Sequence, residues 1–139
     1  MKTPWHLWAV GIISLLWNAM GGVDYTMSHL HNAAYLAQMS PDQIAWFDGF
    51  PIWATSCWAL GVWGAMAGSI LLLLRNRRAV VVFGVSLIGF IGSHIYQYTS
   101  NAPAGLNTGT ATLFAAVLAL VAVGLLWYAV RMLAKGVIK

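Results

Sequence analysis

Ile70-Leu71-Leu72-Leu73-Leu74-Arg75-Asn76-Arg77-Arg78-Ala79-Val80-Val81-Val82 sets three arginines and an asparagine between two runs that carry no charge. The run before it reaches back to Ile52, and the run after it reaches forward to Tyr98. Each is close to the ~20 residues that a helix needs to cross ~30 Å of hydrocarbon. Four residues between such runs suffice only for a turn. The stretch therefore predicts two antiparallel membrane-spanning helices joined at an aqueous boundary.

Two further apolar runs complete the pattern, so spans are expected at 5–23, 52–74, 79–98 and 109–132. They must be helices, because backbone amides in lipid have to be satisfied within the segment. Strands of a membrane barrel would be half as long and would alternate polar with apolar residues, which these runs do not. The expected fold is an all-α, polytopic membrane protein: one domain of 139 residues forming an antiparallel four-helix bundle, with a short outer helical segment at 24–51. The two halves share no repeat.

Threading the chain through a bilayer sorts its charges. Lys2, Arg75, Arg77, Arg78, Arg131, Lys135 and Lys139 fall on one side, and Asp24, Asp42 and Asp48 on the other. That is the positive-inside pattern, and it predicts both termini in the cytoplasm. Only 7% of the residues are charged and 60% are hydrophobic. A soluble domain averages about 25% charged, so that class is excluded. The net charge of +4 sits just beyond the spans, where orientation and anionic lipid account for it. No basic stripe remains for a nucleic acid. The single cysteine, Cys57, allows no internal disulfide. Lys2, the apolar run and Ala19-Met20-Gly21 loosely imitate a signal peptide, but a run of this length with Trp5, His6 and Trp8 at its start reads as a retained span.

The outer segment has structure of its own. Ser40-Pro41-Asp42-Gln43 is a helix start, with Ser as N-cap, Pro at the first position and Gln three residues after the cap. Ile44, Trp46 and Phe47 are then expected to face the membrane, with Trp46, Phe47, Phe50 and Trp53 as an outer aromatic belt and Trp127 and Tyr128 as the inner one. Tyr25–Met39 offers a continuation of the first span.

Small residues mark close helix contacts in lipid. Gly61, Gly64 and Gly68 in the second span, and Gly89 and Gly92 in the third, are the packing candidates. They either pack the bundle itself or form a homodimer face.

Polar groups at membrane depth mark candidate sites. Ser14, Ser69 and Ser86 can bond carbonyls of their own helices and carry little information. Asn18, Asp24, Tyr25, His94, Tyr96 and Gln97 concentrate in the outer half and suggest a ligand pocket there, or else an interhelical hydrogen-bond cluster. Met27, His29 and His31 offer soft and imidazole ligands for Cu(I) or Zn, although an i, i+2 histidine pair converges only in extended or turn geometry. No carboxylate lies near the midplane, which argues against proton antiport through one. A bis-histidine haem lacks a facing pair, and Cys57 lacks a neighbouring base, so neither a cofactor nor an enzyme activity is expected.

Trp5-His6-Leu7-Trp8, Trp17-Asn18-Ala19-Met20-Gly21, Phe50-Pro51-Ile52-Trp53 and Trp58-Ala59-Leu60-Gly61-Val62-Trp63-Gly64, followed by Gly68-Ser69 and a leucine run ending in arginine, carry a resemblance. Over roughly the first 80 residues the chain resembles a group of small four-span inner-membrane proteins of Gram-negative bacteria, some of them labelled sugar transporters. The resemblance implies an inner-membrane location, this topology and a retained first span. It implies no catalytic motif, and the Met27/His29/His31 cluster is not part of it. Two function classes follow. One is a non-enzymatic accessory subunit that docks a membrane-protein partner. The other is a small-solute transporter or binding protein, as a homodimer if four helices alone cannot enclose a path. Copper or zinc binding on the outer side is a third reading.

Overall fold

The computed structural model of the chain describes residues 3–30, 33–37, 39–100 and 109–139. Among these residues six helices follow in order: α1 (Trp5–His29), α2 (Ala33–Leu36), α3 (Pro41–Asp48), α4 (Ile52–Leu73), α5 (Arg78–Thr99) and α6 (Gly109–Ala134). No strand occurs among the described residues. α1, α4, α5 and α6 are each long and apolar enough to cross a bilayer. Their outward sides agree with that solvent. Ile13 is 67% exposed, Ile88 70% and Leu120 73%, and these belong to an uncovered apolar surface that water would penalise heavily. The chain is an integral membrane protein with a four-helix bundle.

The α4–α5 turn is built from its own residues. Arg75 N–H reaches the Leu72 carbonyl (3.0 Å) and Asn76 N–H the Leu71 carbonyl (2.9 Å), the pair of bonds that closes a helix through a left-handed residue. Arg75 occupies that residue with φ 55°, where glycine would be at ease. The Asn76 side-chain oxygen then accepts Arg78 N–H at 2.9 Å and starts α5. The end of α6 repeats the closure. Gly136, at φ 72°, bonds Leu133, and Val137 N–H bonds Met132. The chain turns back there. Arg77 N–H donates to the Lys139 carbonyl and Lys139 N–H to the Arg75 carbonyl, each at 3.0 Å, which pins the tail across the α4–α5 turn. Ile138 is thereby 1% exposed. Ile138 lies beyond the expected spans, and Gly136 followed by two β-branched residues was the signal for its burial.

The buried core gathers at this arginine-rich end. Leu7, Leu72, Ala79, Phe83, Leu125, Ala129, Met132 and Ile138 form one cluster there. His6 Nδ1 and the Tyr128 hydroxyl hydrogen-bond across α1 and α6 at the same level, which ties Tyr128 to the bundle. Trp127 points outward, 62% exposed, with Arg131 over its ring. Among the described residues the basic ones lie at this end, and Asp24, Asp42 and Asp48 lie at the other.

α4 and α5 form the tightest pair, α1 packs on α4, and α6 packs on α5. Five glycines explain the first contact. A β-carbon on Gly61 would lie 3.2 Å from the Phe90 nitrogen, one on Gly64 3.0 Å from Ser86, and one on Gly68 within 3 Å of the Phe83 ring. One on Gly89 would meet the Cys57 carbonyl, and one on Gly92 the Cys57 sulfur. All five are consumed between α4 and α5, which leaves none of them as an outer dimer surface.

α3 is capped as its sequence dictates. Ser40 Oγ accepts Gln43 N–H and the Gln43 side chain accepts Ser40 N–H. Its aromatic side runs opposite to expectation. Trp46 stacks on Tyr96 (5.7 Å between centroids), meets Phe50 edge-on and donates its indole N–H to Ser100 Oγ at 3.1 Å. Phe47 and Phe50 pack toward Trp58. These rings cap the outer ends of α4 and α5 rather than forming a belt in lipid, because partners for their edges and for the indole N–H are at hand in the bundle.

Candidate functional site

Each of the four spans presents a helical stripe to one cavity of about 370 Å³. On α1 the stripe is Trp17, Asn18, Gly21 and Asp24; on α4 it is Trp58, Gly61, Val62 and Ala65. On α5 it is Ser86, Phe90, Ser93 and His94; on α6 it is Phe114, Leu118, Val121, Ala122 and Leu125. Spacings of three, four, seven and eight put such residues on one face. The cavity exists because α1 and α6 converge at the core end and touch only sparsely elsewhere. Phe83 and Leu125, members of the core cluster, form its floor. Met20 of α1 and Phe114 of α6, both exposed, flank the gap between those helices.

Its polar groups are few and fixed. Asn18 Nδ2 donates to the Ala65 carbonyl (3.1 Å) and to Ser69 Oγ (3.0 Å). Ser69 is fully buried and donates to the Ala65 carbonyl at 2.9 Å. Ser14 Oγ lies 3.1 Å from both Ser69 Oγ and the Gly11 carbonyl. Ser86 Oγ donates to the Gly61 carbonyl at 2.7 Å. These serines therefore stitch α1 to α4 and α5 to α4, a correction to the reading that they serve only their own helices. They find partners across the interface because glycine and alanine bring the backbones close.

His94 Nδ1 lies 3.0 Å from the Phe90 carbonyl, with Ser93 Oγ at 3.5 Å. A carbonyl only accepts, so Nδ1 is the donor in this bond. The Phe90 ring packs 4.1 Å from the imidazole. Asp24, exposed, stands at the rim, six residues or about 9 Å along α1 from Asn18.

Of the six ligand candidates, Asn18, Asp24 and His94 line the cavity. Tyr25, Tyr96 and Gln97 do not. Tyr25 packs edge-on against Trp58 and Trp63, and Tyr96 belongs to the aromatic cap on Trp46 and Phe50. Sequence reasoning missed Trp17, Trp58, Ser86 and Ser93. The signal was available in the three-and-four spacing of Ser86, Phe90, Ser93 and His94. Of the metal candidates, Met27 lies on α1, while the His29 side chain and His31 lie outside the described residues. Among the described residues no three His, Cys, Asp or Glu side chains converge on a metal position.

The arrangement is a mostly apolar, aromatic-walled chamber with a handful of oriented hydrogen-bonding groups, of the size and character of small-molecule sites. Cys57 packs against Gly92, outside the lining of the chamber. The chain matches no family model, no curated protein and no solved structure.

Proposed function

We propose that this is a multi-pass protein of a bacterial inner membrane, with both termini in the cytoplasm, that binds or carries a small, largely apolar solute in the chamber between its four spans. The orientation is supported by the separation of basic and acidic residues to opposite ends of the bundle. The binding role is supported above all by one observation: side chains from α1, α4, α5 and α6 together line a partly open cavity of about 370 Å³ around Asn18, Ser86 and His94. A bundle that only had to be stable would fill that volume, since protein interiors tolerate few voids larger than a water molecule.

The test uses a neutral brominated probe, 4-bromobenzyl alcohol, which quenches tryptophan emission on contact. Trp17 and Trp58 line the chamber and report occupancy. With protein in phosphatidylcholine nanodiscs, a saturable component of quenching is expected. It should vanish in Ala122→Phe, which places a ring in the chamber from α6, while the melting temperature stays within a few degrees. Saturation unaffected by Ala122→Phe would defeat the reading.

The accessory-subunit reading retains one observation, the uncovered apolar side of α6 with Leu113, Leu120 and Val123. A stable heteromeric partner after purification in mild detergent would favour it over a solute-binding role.

A further inference from the structure

The ionisable side chains among the described residues that line the chamber are Asp24 and His94; no Lys or Arg is there. The basic residues sit at the far end of the bundle, behind the core cluster. Asp42 and Asp48, on α3, lie at the same end as the chamber mouth. The chamber thus opens toward negative charge and has no lysine or arginine to neutralise an anion. Its walls carry aromatic rings, from Trp17, Trp58 and Phe90, and the faces of such rings attract cations through the ring quadrupole.

We propose that the solute taken by this chamber is a lipophilic monocation, an alkyl- or aryl-substituted ammonium. Asp24 is the counter-ion at the rim, and Trp17, Trp58 and Phe90 are the wall against which the apolar part lies. This assignment rests on the binding reading above and narrows it to one charge class. Desolvating a monocation inside a chamber of low dielectric is costly, and a carboxylate at the rim offsets that cost where a neutral amide would not. An anion meets the opposite balance, with the same desolvation and no lysine or arginine to pair with. The gap between α1 and α6 gives a partitioned amphiphile a route from the lipid that passes Met20 and Phe114.

The experiment extends the quenching series on one aromatic frame. The probes are 4-bromobenzyltrimethylammonium, 4-bromobenzyl alcohol and 4-bromophenylacetate, in zwitterionic phosphatidylcholine nanodiscs so that the lipid does not concentrate the cation. The ammonium probe is expected to bind ~10-fold more tightly than the alcohol, with no saturable binding of the acetate. Asp24→Asn should abolish that ~10-fold preference. Asp42→Asn, an exposed acid outside the chamber, should leave the preference intact. Equal binding of cation and alcohol to the wild type, or an equal shift of both in Asp24→Asn, overturns the charge assignment while the binding reading survives. No saturable quenching by any probe overturns both.

Discussion

A methyl group at Gly89 would lie 2.6 Å from the Cys57 carbonyl oxygen and 2.8 Å from the Gly61 nitrogen, backbone atoms that cannot step aside. Gly89→Ala should therefore destabilise the bundle by about 1–3 kcal/mol, as overpacking does. Gly84, one and a half turns nearer the core end on the same helix, has open space for 4 Å around the place a β-carbon would take, so Gly84→Ala should be neutral or mildly stabilising. Unfolding of the two variants side by side in increasing dodecyl sulfate checks the contrast. Arg75 holds a left-handed backbone, so Arg75→Gly should raise stability by about 1 kcal/mol, less whatever its side-chain bond to Thr3 contributes. Asn18→Leu removes two hydrogen bonds to α4 and should cost about 1 kcal/mol, since such bonds average only about 0.6 kcal/mol each in membranes. At this scale the sequence was legible for glycine and opaque for serine. A residue without a side chain has one reason to sit at three- and four-residue spacing in lipid. A hydroxyl can serve its own helix or the neighbour's, and only the interhelical distance decides which.

The four spans were readable within a few residues because hydrocarbon thickness sets their length. α1 continues past the first span to His29, covering the first part of the continuation expected over Tyr25–Met39, since nothing between Val23 and His29 breaks a helix. The start of α3 was equally plain, as Ser, Pro and Gln each have one function at that spacing. Ser40→Ala should cost α3 about 1 kcal/mol locally and shift Trp46 emission to the red, with little change in global unfolding. The side of α3 that carries its rings was not readable. An aromatic residue at a membrane surface satisfies its amphipathic nature equally well in a lipid belt or on another ring. The chamber was half legible. Each wall is a periodic stripe in its own helix, but the rotation that turns four stripes toward one axis depends on the glycine contacts of α4 and α5 and on the sparse meeting of α1 and α6. Tyr96 turns to the aromatic cap instead, and Gln97, one turn beyond His94 on the same face, lies outside the lining.

Charge separation is a property of the whole molecule, and it gives the orientation a direct test. In a Cys57→Ala background, a membrane-impermeant maleimide applied from the periplasmic side should label Ala37→Cys, which follows α2. It should label Arg77→Cys only after the membrane is permeabilised. The reverse pattern would invert the proposed topology. The fastening of the bundle is as lopsided as its charge. Ile138, the strapped tail and the His6–Tyr128 bond hold one end together, while α1 and α6 have little to hold them at the other. A body of this build should behave as tweezers do, with its pivot at the rivet and its travel at the tips. Spin labels at Trp8 and Val130 should give a narrow distance distribution, and labels at Met20 and Leu113 a broad one that tightens when an object is gripped.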